Sequence, residues 1–279
     1  MFSIDLHVHS TVSDGTFTPK QVALYAAAKS LYCIALTDHD TTDGVKECQQ
    51  YAKEVGVEVI SGVEISAGYK EREIHMLAYF IDIENEQLKK TLHKISTERK
   101  ERNLKIIDKL NEIGLEISYQ DLNPEDKNIS ITRGNIARAL LQKGYISNIE
   151  EAFKKYIGKN GPAYVSREYV DYTECIDVIH QAGGLAVVAH PYLYKLDTPT
   201  FIADLKQAGL DGIEVIYPEH TSEMQEMYFK LCKQYDLFVT GGSDFHGGNK
   251  PSIDMGNGFG KTIVHMDLLT NMKARLQKK

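Results

Sequence analysis

The sequence lacks any CxxC pair. Its four cysteines, Cys33, Cys48, Cys175 and Cys232, are scattered through a 279-residue chain too long to need disulfide staples. They read as free thiols, buried or half-buried, in a reducing compartment. No stretch approaches the roughly 18 uncharged apolar residues of a membrane span. The start, MFSIDLHVHSTVSDG, carries neither a basic nor an apolar signal region. Membrane insertion and secretion are therefore not expected, and a cytoplasmic location is. Internal repeats, low-complexity tracts and the phosphate loops GxGxxG and GxxxxGK[ST] are also missing. A formal net charge of −7 argues against a general polyanion binder.

What is present is the composition of an ordinary globular protein, 42% hydrophobic and 25% charged. The length suits one large domain, or one domain carrying a smaller insertion, since α/β barrels use about 250 residues as a single unit. Charge is unevenly spread. Residues 86–168 hold 16 Lys and Arg against 12 Asp and Glu, while the rest of the chain is strongly acidic.

Short apolar runs alternate with amphipathic segments: FSIDLHVH, PKQVALYAAAKS, LYCIALT, TDGVKECQQYAKEV and VEVISGVE. Strand-length runs separated by helix-length runs predict βαβ units and a parallel sheet. A further strand, EIHMLAYF, precedes a polar helix over 85–113. Residues 114–165 then break the rhythm with short helical patterns and no clear strand, and alternation resumes from Glu174 to LFVTGGSD. Six or seven strands predict a closed or distorted (β/α) barrel, with an open doubly wound sheet as the other solution. The expected division is a barrel of 1–84 and 169–279 with an inserted helical subdomain of 85–168.

Histidines and carboxylates recur at strand ends. His7 and His9 end the first strand, and strand alternation points both to one face. Asp38-His39-Asp40 follows the second run and Glu64 the third; His75 opens IHMLAYF, His190 closes LAVVA, and Asp244 and His246 follow LFVTGG. In a parallel barrel such positions meet at the C-terminal face. Imidazole and carboxylate without thiolate suit Zn, Mn, Fe or Co. With Asp14 the set reaches nine, too many for one ion, and implies two or three divalent metals. A multi-metal site points to hydrolysis, and the excess positive charge it leaves favours a phosphate ester. His93, His180, His265 and His220 read as packing or surface residues, although His220 could reach the mouth.

The ordered motifs DLHVHSTVSDG, ALTDHDT, GVEIS, AVVAHP and GGSDFHG resemble the PHP (polymerase and histidinol phosphatase) superfamily over about residues 3–247. The resemblance implies a distorted (β/α)7 barrel with a trinuclear centre of Mn, Zn or Fe. In it, His7, His9, Glu64 and Asp244 would hold one metal. Glu64 would bridge to a second held by His75 and His190, and Asp14, His39 and His246 would hold the third. Glu64, Asp244 and His190 are the expected catalytic set, around a metal-bridging hydroxide that attacks phosphorus in line. Asp38 and Asp40 are expected to orient His39 or its neighbours, with His220 and Asp38 as candidate proton donors.

The insertion ITRGNIARALLQKGY … EAFKKYIGKNGPAYVSREYV is similar to that of short bacterial PHP phosphoesterases. These include nucleoside 3′,5′-bisphosphate phosphatases and 5′→3′ exonucleases acting on short RNA or DNA. The expected substrate is thus a nucleotide phosphate ester or a short oligonucleotide, with no obligate protein partner. The net basic insertion would receive a second, non-reacting phosphate, through Arg133, Arg167 and Lys159. A histidinol phosphate phosphatase is the nearest alternative, and a non-catalytic metal-binding module is the alternative from another class.

Overall fold

The computed structural model describes residues 3–122 and 129–278, so six residues of the expected insertion, 123–128, lie outside the described residues. The chain runs β1 (Ser3–Val8), α1 (Pro19–Ala28), β2 (Cys33–Leu36), α2 (Val45–Glu54), β3 (Glu58–Tyr69), β4 (Arg72–Tyr79) and α3 (Glu86–Glu112). Three short helices follow, α4 (Tyr119–Leu122), α5 (Arg133–Gln142) and α6 (Ile149–Ala152), the last continuing into a π-turn at Phe153–Ile157. Then come β5 (Val170–Asp171), α7 (Tyr172–Gln181), β6 (Leu185–Val188), α8 (Thr198–Gln207), β7 (Gly212–Ile216), α9 (Ser222–Tyr235), β8 (Phe238–Gly241), β9 (Val264–His265) and α10 (Met266–Leu276).

Local chemistry sets several of these boundaries. Thr18 caps α1 by accepting from the Gln21 backbone N–H, Gln21 returns the bond, and Pro19 takes the first helical position, where no backbone donor is needed. Thr132 and Asn135 form the same reciprocal cap on α5. Asn85 starts α3, whose polar sequence conceals a buried stripe. Leu88, Leu92 and Ile95 of that stripe join the barrel core, while Ile106, Ile107 and Leu110 join a separate core with α5 and α6. Between the two, Arg99, Arg102 and Asn103 are buried.

The strands form one sheet in the order β8-β7-β6-β4-β3-β2-β1-β9, with β5 beside β3. Beyond β8 the chain returns to β1: the His9 backbone N–H donates to the Phe245 carbonyl at 2.9 Å, and Val8 bridges Phe245 in parallel. The sheet is therefore nearly closed. Gly242 allows this approach, because a Cβ there would lie 2.4 Å from His7 Cβ.

One expectation is corrected. The strand EIHMLAYF is not part of a parallel alternation, since β4 runs antiparallel to both β3 and β6. Only Lys70 and Glu71 separate β3 from β4, both with positive φ, which makes a tight hairpin; a parallel crossover needs a dozen or more residues. β9 is also antiparallel to β1, so nine strands are described rather than six or seven. The hairpin places His75, opposite Ser66 near the end of β3, on the same rim as the C-terminal ends of the parallel strands. Among the described residues no helix is long and apolar enough to cross a membrane.

Candidate metal centre

All nine side chains named from the sequence meet at one rim of the sheet. The Nε2 atoms of His7 and His9 each lie 3.3 Å from Glu64 Oε2, and 3.6 and 3.3 Å from Asp244 Oδ1. The other Glu64 oxygen, Oε1, faces His75 Nδ1 at 2.8 Å and His190 Nε2 at 2.9 Å. Asp14 lies 3.1 Å from His246 Nε2 and 3.7 Å from His39 Nε2, and His39 Nδ1 also reaches Glu64 Oε2 at 3.0 Å. Glu64 is thus central, each oxygen turned to a different group of imidazoles. Backbone strain collects here too: His190 and Asp244 both have positive φ, at 26° and 56°.

The chemistry of this donor set fits divalent cations. His7 Nε2, both ring nitrogens of His9, His39 Nδ1 and Glu64 Oε2 are buried without a hydrogen-bond partner, a costly state for polar atoms unless a cation takes their lone pairs. Burial pushes the Glu64 carboxyl up, yet His39, His75 and His7 hold it well below the usual range. Asp14, beside His39 and His246, and Asp244, beside Lys250 and His7, are likewise held low against burial. His246 is pushed down to about 4 by burial together with Lys250 and His9. Charged carboxylates and a neutral His246 are the states metals require, whereas at His7, against burial, Glu214 and Glu64 favour the protonated ring, so a cation bound there displaces a proton.

Hydrogen bonds behind the cluster aim these atoms. Glu214 Oε1 lies 2.8 Å from His7 Nδ1, turning Nε2 inward, and Glu214 Oε2 accepts from the His190 backbone N–H. Thr132 donates to Asp14 Oδ2, leaving Oδ1 toward His246. Tyr217 and Lys250 both donate to Asp244 Oδ2, leaving Oδ1 toward His7 and His9. Sequence reasoning missed Glu214, Lys250 and Tyr217. Glu214, inside the apolar run GIEVIY, carried the one available signal, a lone acid in a buried strand.

Asp38 and Asp40, expected to orient His39 or its neighbours, bond to other residues than His39. Asp38 accepts from the Ser10 N–H, Ser10 Oγ and Ser13 Oγ, so it braces the loop after β1. Asp40 accepts from Ser66 and from Arg99 Nε at 3.0 Å. His220 is buried with Nδ1 against the Val215 carbonyl, outside the set lining the cavity beside the cluster.

That cavity, of about 250 Å³, has Asp14, His39, His75 and His246 on its metal side and Arg99, Arg133 and Lys250 around it. Arg133 pairs with Glu73 Oε2 at 2.8 Å and Arg167 with Glu73 Oε1 at 3.1 Å. Arg167, only 3% exposed, is not among the lining residues, and Lys159 is exposed in the turn beyond the π-turn and does not line the cavity either. A larger cavity, about 500 Å³, lies between the Asp40–Asp43 loop and α3 and is lined by none of the nine residues.

Comparison with known proteins places this arrangement. A 5′-3′ exoribonuclease from Haemophilus influenzae is 37% identical over 245 residues, covering 87% of this chain and 89% of the relative. A 3′,5′-nucleoside bisphosphate phosphatase from Chromobacterium violaceum is 32% identical and covers 92% of each. A solved structure from Bifidobacterium adolescentis, described as that of a metal-dependent phosphoesterase, superposes with a TM-score of 0.91 at 29% identity over 98% of this chain and 96% of its own. Residues 5–183 match the family model for the PHP domain; with that span and these relatives, the chain belongs to the PHP domain family.

Proposed function

We propose that this hydrolase removes or cleaves phosphate esters of nucleotides, either the 3′-phosphate of a nucleoside 3′,5′-bisphosphate or the 5′ end of a short oligonucleotide. The observation that carries the reading is a nine-residue imidazole and carboxylate cluster, with orphaned buried donor atoms, opening onto a cavity walled by arginine and lysine. The relatives with the printed activities cover nearly the whole chain.

In this reading His7, His9, Glu64 and Asp244 would hold one ion, Glu64 with His75 and His190 a second, and Asp14, His39 and His246 a third. When bound, divalent ions supply Lewis-acid charge and a nucleophile drawn from water at neutral pH. Glu64, Asp244 and His190 would belong to the catalytic set as holders of these ions, with Glu64 Oε1 turned to His190 Nε2, and Glu64 Oε2 and Asp244 Oδ1 turned to His7 Nε2. Tyr194, whose hydroxyl lies 3.0 Å from the Ala189 carbonyl and 3.3 Å from His190 Nδ1, keeps the His190 Nε2 turned toward Glu64. Arg133 receives the non-reacting phosphate through a charge-assisted pair, with Arg99 adding positive field from behind. Arg167 acts more remotely, by sharing Glu73 with Arg133. Segment 85–168, read as an inserted subdomain, supplies these cations.

The test is phosphate release from 3′-phosphoadenosine 5′-phosphate, histidinol phosphate and a short 5′-phosphorylated oligonucleotide, with Mn added and with chelator as control. Chelator-sensitive turnover of the bisphosphate or the oligonucleotide is expected. Turnover of histidinol phosphate alone would overturn the assignment and the role given to Arg133.

A further inference from the structure

Among the residues lining the cavity beside the metal cluster, two have apolar side chains and together form one side. That side is made by Ile149 and Phe153, where α6 passes into the π-turn. Ile149, Tyr156 and Ile157 of this segment pack into the insertion's own core, yet Phe153 is 38% exposed. Phe153 keeps helical backbone angles (φ −67°, ψ −38°), so α6 sets its direction and the wider turn shifts the residues that follow it. The widened turn closes with the Gly158 N–H on the Phe153 carbonyl at 3.1 Å, an i to i+5 bond. Gly158 is required for it, since a Cβ there would lie 2.1 Å from that carbonyl oxygen. Such turns recur at functional sites.

Resting on the nucleotide reading above, we propose that Phe153 is the platform on which the substrate's base stacks, and so the residue that distinguishes nucleotides from other phosphate esters. The cavity's size fits this placement. At about 250 Å³ it lies below the usual range for ligand pockets, roughly 300–1,000 Å³. It holds a phosphate and a ribose among Arg133, Lys250 and the imidazoles, and leaves the base at the rim, where Phe153 presents its ring. An aromatic face accepts any base, because every base has a π-face. Phe153 therefore selects for the presence of a base and is indifferent to which one, and because the base sits at an open rim a following nucleotide can leave the cavity.

Two measurements test it. The first compares kcat/KM on adenosine 3′,5′-bisphosphate with kcat/KM on the methyl riboside 3,5-bisphosphate, which has no base. Phe153→Ala lowers the ratio of the two about 10-fold or more, the worth of one stacked base, and Phe153→Tyr restores it. The second uses the absence of tryptophan from the chain. Phe153→Trp introduces a single indole whose fluorescence is quenched on titration with adenosine 3′,5′-bisphosphate and not with the base-free analogue. An unchanged ratio in Phe153→Ala, with no base-dependent quenching, overturns the stacking role while leaving nucleotide hydrolysis standing. A wild-type protein that hydrolyses neither the bisphosphates nor the short oligonucleotide removes both.

Discussion

Glu64 illustrates how one side chain can organise a site. It sits in the middle of β3, with its two oxygens turned to different sets of imidazoles. Glu64→Gln keeps the shape and removes the charge, leaving five neighbouring histidines without their shared counter-charge. The expected result is loss of bound metal, read by elemental analysis of purified protein, and a fall in turnover of about 100-fold or more. Glu73 makes a different prediction. Burial pushes its carboxyl up, but Arg133 and Arg167 hold it well below the usual value. The folded state therefore binds this proton less readily than the unfolded chain, so stability rises with pH across the acid range. The contribution is complete above the unfolded value of about 4.3 and is lost as pH falls through the folded one. The fall in urea midpoint below about pH 4.5 should be smaller in Glu73→Gln than in the wild type, and the variant should cost about 3 kcal/mol at neutral pH, because the Arg167 side chain stays buried. At this scale most of the nine clustered residues were legible because a lone polar residue interrupts or borders an apolar run, whereas Asp14 lies in the polar loop after β1. Glu73, Arg99 and Lys250 were not, because a charged residue in a polar stretch gives no sign of the partner it will meet.

Among the elements, the hairpin of β3 and β4 was the least legible. Its sequence, SAGYKEREIHML, has no Asn-Gly or Asp-Gly at the turn; Lys70 and Glu71 adopt the left-handed region instead, so EIHMLAYF read as one more parallel strand. The apolar pattern located the strand, but strand direction leaves no trace in a run that is buried on both faces. α3 was read to within a residue at each end, helped by Asn85 as its cap. The π-turn had no signal beyond Gly158 and Gly161, which read as an ordinary loop. Gly158→Ala would force the Phe153 carbonyl away and re-form a tighter turn. The prediction is a larger KM for the bisphosphate with little change in kcat, checked by steady-state kinetics beside a far-ultraviolet spectrum that stays native.

Across the whole molecule, two cores share one helix: the first half of α3 is sealed into the barrel and the second half into the α5 and α6 cluster. The second body is also tied to the loop after β1. The Ser130 N–H donates to the Val12 carbonyl, Asn135 Nδ2 to the Ser13 carbonyl, and Thr132 Oγ1 to Asp14 at 2.7 Å. Thr132→Val breaks the last of these and the α5 cap together. It should weaken binding of the ion assigned to Asp14, His39 and His246 about 10-fold, seen in a metal titration, and cost about 1 kcal/mol in denaturant unfolding. Thr132→Ser should recover both.

The same three bonds bear on inheritance. Residues 12–14 and 130–135 lie more than a hundred positions apart, yet a change in either alters the shape the other must fit. Substitutions in the two stretches should therefore arise in pairs across the family. A chimera carrying a relative's insertion should lose metal unless that relative's loop after the first strand is transplanted with it.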